Sequence, residues 1–257
     1  MSKLFEITQK PKRFLVVGDI HGCSEELSAL LEYLHKVENV SADDLVVFVG
    51  DYVDRGPDSK GVIDRLVKFQ LEFPSTIFLK GNHEDMLMDF LGFGGTMGHA
   101  YLMNGGADTL DSYGFSILET PEEICQGVPK EHISFLLNLQ SYCMLEDYVV
   151  AHAGVNPLRD IRAQLNEDLF WIRNEFIGNI HHFRKTIIFG HTPHQDVLFH
   201  LPYKIGIDTG LCFGNMLTCV EPWEKKMYQV LAGGKKVRMV KFPKEICIAM
   251  EQAAVKT

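Results

Sequence analysis

The 257-residue sequence lacks the features of an exported, membrane-bound or disulfide-stabilised protein. Its N-terminus has no apolar stretch of the signal-peptide kind, and no apolar run is long enough to span a bilayer. Its six cysteines show no paired C-x-x-C spacing. We therefore expect reduced cysteines, no membrane partner and a cytoplasmic location.

An excess of positive charge is also missing. The formal net charge is −9 at pH 7, with 34 acidic residues against 25 lysines and arginines. Because a polyphosphate backbone is bound by basic surfaces, this balance argues against nucleic acid as a partner. Hydrophobic residues make up 46% of the chain, which is ample for a core, and we find no repeat or linker. We expect one domain over residues 1–257.

Six short polar segments stand out, and most of them follow a run of Val, Ile, Leu or Phe that is typical of a buried strand. The segments are Gly18–Gly22, Gly50–Gly56, Gly81–Glu84, His152–Gly154, Gly190–Thr192 and Ile207–Gly210. Open α/β sheets build their binding sites beyond the carboxyl ends of strands. We therefore expect the Asp, His and Asn side chains of these segments to meet at one site.

The donor types indicate which metal such a site would bind. Two Asp, one Asn and three His offer a mixture of carboxylate, amide and imidazole donors, which suits manganese, iron or zinc. Six protein ligands around a single ion would leave little room for substrate. Shared between two ions about 3.5–4 Å apart, with one carboxylate bridging, they leave open positions on both. The pattern therefore predicts a two-metal phosphoesterase.

The order and spacing of these segments resemble the phosphoprotein phosphatase family, the metal-dependent serine/threonine phosphatases among the calcineurin-like metallophosphoesterases. The matching ranges are 13–56, 77–84, 148–154 and 186–220. One motif alone would be weak evidence, but all of them in family order make a specific signal. Further elements, among them Asn104–Gly106 and Trp171–Arg173, resemble the compact phage and bacterial branch of the family.

The resemblance implies a ligand set for two divalent ions, with manganese expected and iron or zinc as alternatives. The implied metal ligands are Asp19, His21, Asp51, Asn82, His152 and His191. In this assignment Asp19 and His21 bind the first ion, Asp51 bridges both ions, and the remaining three residues complete the second. Asp208 is not expected to bind metal itself but to orient one of the ligand histidines.

The resemblance also implies the residues that perform the chemistry. His83 is expected to be the general acid that protonates the leaving alkoxide, and Asp54 to hold its imidazole and raise its pKa. Arg55 and Arg173 are expected to grip the phosphate oxygens together with Asn82. Each has an ordinary alternative: Arg173, for example, could be an exposed neighbour of core residues 170–172.

The expected fold class is α/β, a two-sheet sandwich of the calcineurin-like metallophosphoesterase type. Strands and helices alternate up to residue 84, and residues 92–147 are interpreted as a helical insertion beside the cleft. The strands after residue 186 are expected to form a second, mixed sheet. The two ends, 1–11 and about 250–257, are expected to fray.

The expected reaction is hydrolysis of a phosphomonoester by direct attack of hydroxide held by the metals. The leading substrate is a phosphorylated protein carrying phosphoserine or phosphothreonine, and small phosphoesters are also expected. The alternative is a symmetrical dinucleoside tetraphosphatase, in which Asp54 is typically replaced by a non-acidic residue and Glu84 by Asp. A third interpretation is a phosphate-binding scaffold without turnover. It does not account for His83, because a protein that only binds phosphate does not need a general acid.

Overall fold

The computed structural model describes residues 2–254, which form two six-stranded sheets with helices on their outer faces. The strands are β1 (Leu4–Glu6), β2 (Phe14–Val17), β3 (Leu45–Phe48), β4 (Ile77–Phe78), β5 (Tyr142–Met144), β6 (Tyr148–Ala151), β7 (Thr186–Phe189), β8 (Leu198–His200), β9 (Lys204–Gly206), β10 (Met216–Glu221), β11 (Lys226–Leu231) and β12 (Val237–Lys241). The helices are α1 (Ser24–Lys36), α2 (Ser59–Glu72), α3 (Asn82–Phe90), α4 (Gly106–Tyr113), α5 (Pro121–Gly127), α6 (Lys130–Leu137), α7 (Asn166–Trp171), α8 (Asn174–Ile177) and α9 (Lys244–Ala254). Short 3-10 helices cover Gly98–Ala100, Leu102–Asn104 and Leu211–Phe213.

Each sheet contains three parallel strands whose carboxyl ends carry the polar segments. In the first sheet, ordered β12-β11-β10-β2-β3-β4, strands β2, β3 and β4 run parallel and are joined by α1 and α2. In the second sheet, ordered β1-β5-β6-β7-β9-β8, strands β6, β7 and β9 run parallel. Because parallel strands end at the same edge of a sheet, all six segments are brought to the sheet edges that face the site.

The core lies both between the sheets and between each sheet and its helices. Strand β2 shows this by its alternation: Phe14 and Val16 pack in the cluster between the two sheets, whereas Leu15 and Val17 pack with α1 and α2. All four are fully buried, as expected for a parallel strand covered on both faces. The fold is therefore the predicted two-sheet α/β sandwich.

The expected second sheet after residue 186 is wrong in its membership. Strands β7, β8 and β9 do lie in the second sheet, but they share it with β1, β5 and β6. Strand β10 instead pairs antiparallel with β2, so that β10, β11 and β12 extend the first sheet. The reason is that one edge of β2 is taken by β3, and the other is covered by β10, a strand with five consecutive buried residues.

The expected helical insertion is too long at its carboxyl end. Residues 98–137 do carry 3-10 turns and the helices α4, α5 and α6. After them the chain returns to the second sheet, where β5 pairs with both β1 and β6. Residues 142–144 are thus a buried strand rather than part of the insertion.

The expectation of frayed ends is wrong for the residues that the structure describes. Residues 4–6 pair in parallel with β5, and residues 244–254 form α9. Residue 1 and residues 255–257 lie outside the described range. No helix within residues 2–254 has both the length and the apolar character needed to cross a bilayer.

Candidate metal centre and active site

The loop after β3 carries three expected site residues in a left-handed backbone conformation. Asp51, Asp54 and Arg55 have φ values of 52°, 71° and 68°. Non-glycine residues rarely adopt this conformation, so the surrounding contacts must hold it. Gly81 supplies room beside the loop, because a Cβ on that residue would lie 2.0 Å from Asp51 Oδ1.

Glu84 holds this loop, a role that was not predicted from the sequence. One of its carboxylate oxygens accepts hydrogen bonds from the N–H groups of Asp51 and Gly81, both at 2.9 Å. The other accepts from Tyr52 and Val53 at 2.7 and 3.2 Å. The signal was present, since a glutamate three residues after an N-cap position is the pattern of a capping box. The fully buried carboxylate fixes the backbone on both sides of the site.

Four expected ligands of the second metal converge around His152. Its Nε2 atom lies 3.0 Å from Asn82 Oδ1, 3.2 Å from His191 Nδ1 and 3.3 Å from Asp51 Oδ1. Its Nδ1 atom donates to the Val49 carbonyl oxygen at 3.1 Å, which leaves Nε2 with a free lone pair. These four donor atoms follow four different strands and lie together around His152 Nε2.

Asp51 also belongs to a second group of donors, on its other side. His21 Nε2 lies 3.4 Å from Asp51 Oδ2, and His21 Nδ1 donates to the Val53 carbonyl oxygen at 2.9 Å. Among the described residues two groups bring their ligand atoms within 4.8 Å of one another: His21, Asp51 and His83, and Asp51, His152 and His191. Asp51 is common to both, which is the arrangement that a bridging carboxylate requires.

Asp19 lies beside these groups with an unpaired oxygen. Its Oδ2 atom accepts from the N–H of His191 at 2.9 Å, whereas Oδ1 is buried without a hydrogen-bond partner. Gly190 makes the room, because a Cβ there would lie 2.0 Å from Oδ1. Burial and the neighbouring Asp208 and Asp51 carboxylates raise the pKa of Asp19 well above its usual range. A buried oxygen in such surroundings is satisfied by a cation.

The imidazoles of the site have the neutral protonation state that metal binding requires. Burial lowers the pKa of His21 to about 3 and that of His191 to about 2, and it also lowers the pKa of His152. The rings are therefore neutral and present lone pairs. Together with the unpaired Asp19 oxygen, these mixed nitrogen and oxygen donors fit a pair of divalent ions.

His83, a member of the first donor group, forms a buried pair with Asp54. The Nδ1 atom of His83 lies 2.6 Å from Asp54 Oδ2, and the ring contacts that of His21 edge to face at 4.8 Å between centroids. Burial lowers the pKa of His83, but the Asp51 and Asp54 carboxylates outweigh it and the net shift is upward. With Nδ1 bound to Asp54, the Nε2 atom is the one left for a substrate.

The two arginines lie at the exposed rim of the site. Arg55 Nη1 lies 2.9 Å from His21 Nε2, and its guanidinium stacks over the exposed ring of Phe213 at 5.6 Å. Arg173 Nη1 donates to Thr192 Oγ1 at 3.4 Å, next to His191. Both side chains are solvent-exposed and reach the donor groups from different loops.

Asp208 does not orient a ligand histidine by a hydrogen bond, as was predicted from the sequence. Within residues 2–254 its carboxylate makes no hydrogen bond to a ligand imidazole, because its Oδ1 atom accepts from the N–H of Gly210 at 2.9 Å. Main-chain carbonyls after the strands orient His21 and His152 instead. Burial raises the pKa of Asp208 to about 6, and the Asp51 carboxylate adds to the shift. Asp208 therefore contributes negative charge to the site and braces its own turn.

The comparison with known proteins agrees with this geometry. Residues 12–223 match the calcineurin-like phosphoesterase family. Since the match covers most of the chain, the protein belongs to the calcineurin-like phosphoesterases. This confirms the resemblance and establishes the protein as a phosphoester hydrolase. Members of the family use two metal ions, and the two donor groups described above can bind them.

Individual relatives have different substrates in their names. The chain is 28% identical over 239 residues to the asymmetrical bis(5'-nucleosyl)-tetraphosphatase PrpE of Oceanobacillus iheyensis. This alignment covers 84% of the present chain and 90% of the relative. The chain is 33% identical over 214 residues to serine/threonine-protein phosphatase 1 of Salmonella typhimurium, covering 79% and 88%. A crystal structure provisionally assigned as a diadenosine tetraphosphatase superposes with a TM-score of 0.64 at 23% identity, covering 95% of this chain and 99% of that one.

These relatives bear on the alternatives that the sequence left open. The scaffold without turnover is not supported, because the chain belongs to a family of hydrolases. The PrpE relative is named an asymmetrical tetraphosphatase, whereas the alternative predicted from the sequence is a symmetrical one. The reaction class is therefore established as phosphoester hydrolysis, and the substrate is a matter for proposal.

Proposed function

We propose that the protein is a phosphomonoesterase that acts mainly on phosphoserine and phosphothreonine in proteins. The observation that supports this best is the buried pair of His83 and Asp54, 2.6 Å apart, beside the metal-ligand groups. A pair of this kind is useful when the leaving group is a poor one. The alkoxide of serine or threonine is strongly basic and must be protonated as it departs.

The six predicted ligands would hold two divalent ions, for which manganese is the expected metal. When bound, such an ion pair supplies the nucleophile at neutral pH and neutralises charge on the phosphoryl oxygens. The chain prepares for this by fixing its imidazoles: the carbonyl oxygens of Val49 and Val53 hold His152 and His21 with their Nε2 atoms facing Asp51. Iron and zinc suit the same mixture of donors.

His83 would serve as the general acid through its Nε2–H group. As the bond between phosphorus and the leaving oxygen breaks, the Nε2 proton moves to that oxygen and an alcohol is released. Asp54 holds the ring through Nδ1, so that Nε2 keeps one direction. Burial of the pair excludes water that would otherwise compete for the proton.

Arg55 and Arg173 would bind the phosphate from the solvent side, and Asn82 from the metal side. The planar guanidinium groups match the fork of two phosphate oxygens. Both arginines are exposed at the rim, where a substrate can reach their guanidinium groups. Their charge would also balance the growing negative charge on the equatorial oxygens in the transition state.

A second candidate is the asymmetrical hydrolysis of dinucleoside tetraphosphates, the activity in the name of the PrpE relatives. The two candidates differ in the leaving group. A nucleotide phosphate departs as a weakly basic anion, so its cleavage has little need of the acid pair. The pair is fully assembled in this protein, and for that reason we place the phosphomonoester first.

The experiment is a substrate panel at equal concentrations of the manganese-loaded enzyme. Phosphate release from phosphoserine and phosphothreonine peptides is compared with nucleotide release from diadenosine tetraphosphate, which is separated by chromatography. We expect a larger kcat/KM for the peptides. A larger value for the dinucleotide, with ATP and AMP as products, would overturn the proposal in favour of the second candidate; two ADP would indicate symmetrical cleavage.

A further inference from the structure

The first part of the helical insertion packs directly against the loop that carries Asp54 and Arg55. The carbonyl oxygen of Gly105 accepts a hydrogen bond from the N–H of Arg55 at 3.3 Å. Gly105 has a φ of +99°, and a Cβ on it would lie 2.8 Å from Arg55 Cγ. Gly105 belongs to the Asn104–Gly106 element noted in the sequence. The positive φ and the close approach to Arg55 explain why glycine occupies this position.

Thr109, on the following helix α4, makes two hydrogen bonds with Asp54. Its hydroxyl donates to Asp54 Oδ1 at 2.7 Å and accepts from the Asp54 N–H at 2.8 Å. The Ser59 hydroxyl lies 2.9 Å from the Thr109 hydroxyl oxygen, and it also accepts from the Asp54 N–H at 3.0 Å. All three residues are buried. Asp54 is thus bound by Thr109 through both its backbone and its side chain.

These contacts fix the direction of the Asp54 carboxylate. One oxygen is held by Thr109 and the other by His83, at 2.7 and 2.6 Å. A carboxylate with a partner on each oxygen cannot rotate about its Cβ–Cγ bond without losing both hydrogen bonds. The N–H contacts also hold Asp54 in its left-handed conformation, at a φ of 71°. The orientation of His83 therefore depends on a residue 55 positions after Asp54.

We propose that Thr109 is a positioning residue for the reaction, through which the helical insertion sets the direction of the Asp54–His83 pair. This inference rests on the proposed function, since it assumes that His83 protonates the leaving oxygen. Without the Thr109 hydroxyl, Asp54 Oδ1 loses its donor, and the carboxylate is held by His83 at Oδ2 rather than at both oxygens. His83 then loses its fixed direction, and a misplacement of this kind is costly for proton transfer.

The test compares Thr109→Val, which removes the hydroxyl at nearly constant volume, with Thr109→Ser, which keeps it. Ser112→Ala is the control for the placement of the helix, because Ser112 lies on the same helix and does not touch Asp54. Its hydroxyl accepts from the N–H of Lys60 at 3.1 Å and donates to the Thr109 carbonyl oxygen at 2.7 Å. Each manganese-loaded protein is assayed on a phosphoserine peptide and on p-nitrophenyl phosphate, whose leaving group barely needs a proton.

For Thr109→Val we expect kcat on the peptide to fall about 10- to 100-fold and kcat on p-nitrophenyl phosphate to change less than about threefold. Thr109→Ser should restore most of the peptide activity, and Ser112→Ala should affect neither substrate. Metal content, measured by elemental analysis, should equal that of the wild type in all three variants. Should Thr109→Val fail to fold, Thr109→Ala replaces it against the same serine variant.

Equal losses on both substrates, no loss on either, or a serine variant as impaired as the valine variant would overturn the inference. His83→Asn, measured in parallel, distinguishes this failure from failure of the proposed function. If His83→Asn affects both substrates equally, the acid role itself is wrong and the role of Thr109 falls with it. If His83→Asn discriminates between the substrates and Thr109→Val does not, only the role of Thr109 is refuted.

Discussion

Replacement of Glu84 by glutamine tests how the loop that carries Asp51 is held. The carboxylate accepts four backbone N–H groups, two on each oxygen, at 2.7 to 3.2 Å. Glutamine keeps one oxygen, and its NH₂ group would face two N–H donors. Two hydrogen bonds to a charged acceptor are lost, each worth about 1.5–3 kcal/mol.

The magnitude has one opposing contribution. Burial and the neighbouring Asp51 carboxylate raise the pKa of Glu84 to about 7, so the four hydrogen bonds do not outweigh the cost of burying its charge beside Asp51. Glutamine removes that cost together with the charge, which offsets part of the loss. We therefore expect the low end of the range, about 3 kcal/mol in the free energy of unfolding. For a domain of this size, that is a fall in Tm of about 6–12 °C.

The assay is thermal and urea denaturation of the metal-free protein, because bound metal would add its own stabilisation. Glu123→Gln is the matched control, since Glu123 occupies the same capping-box position on the exposed helix α5. Its loss should be below about 1 kcal/mol. If the two variants are destabilised to the same extent, Glu84 does not hold the loop as described.

Three further outcomes follow from the site and its surroundings. Chelation should abolish activity, and added manganese should restore it. The Asp51→Asn variant should lose both bound metal and activity. Full activity in a sample shown by elemental analysis to be metal-free would refute the metal centre. His83→Asn should lower kcat on phosphoserine by roughly 10²–10⁴ with metal content retained, and by much less on p-nitrophenyl phosphate; equal losses would remove His83 from the acid role. Lys204→Met should lower the free energy of unfolding, measured by urea denaturation, by about 3 kcal/mol, because the fully buried ammonium donates to three main-chain carbonyls at the end of α8. A decrease no larger than that caused by Lys68→Met, at an exposed lysine, would refute this.

Much of the site could be predicted because its residues follow strands. Runs such as 14–17 and 45–49 are apolar throughout, and the polar segments after them begin with glycine. Parallel strands bring the segments that follow them to the same edge of the sheet, whatever the order of the strands in that sheet. For this reason His152 and His191 could be placed with Asp51 without knowledge of which strands are neighbours.

The pairing of the later strands could not be predicted in the same way. Strand β10 has the composition of a buried strand, but its pattern does not say which edge it covers. The short strands β1 and β5 are ordered mainly by each other and by β6, which is a long-range effect. A window of local sequence contains no information about such contacts.

The residues that support the site were missed for a related reason. Thr109 is an ordinary helix residue in sequence, and only the fold shows that it binds Asp54. Asp208 illustrates the opposite error, because a role taken from resemblance was given to a carboxylate that binds its own turn. Supporting contacts are set by tertiary structure, whereas metal ligands reveal themselves by residue type.

The central claim is that the acid pair exists for a basic leaving group, and Asp54→Ala tests it most directly. The measurement is the ratio of kcat/KM for a phosphoserine peptide to kcat/KM for diadenosine tetraphosphate, in the wild type and in the variant. The wild type should favour the peptide, and Asp54→Ala should lower the ratio by about 10², because only the alkoxide needs the proton of His83. A wild type that favours the dinucleotide, with a ratio unchanged by Asp54→Ala, would contradict the account.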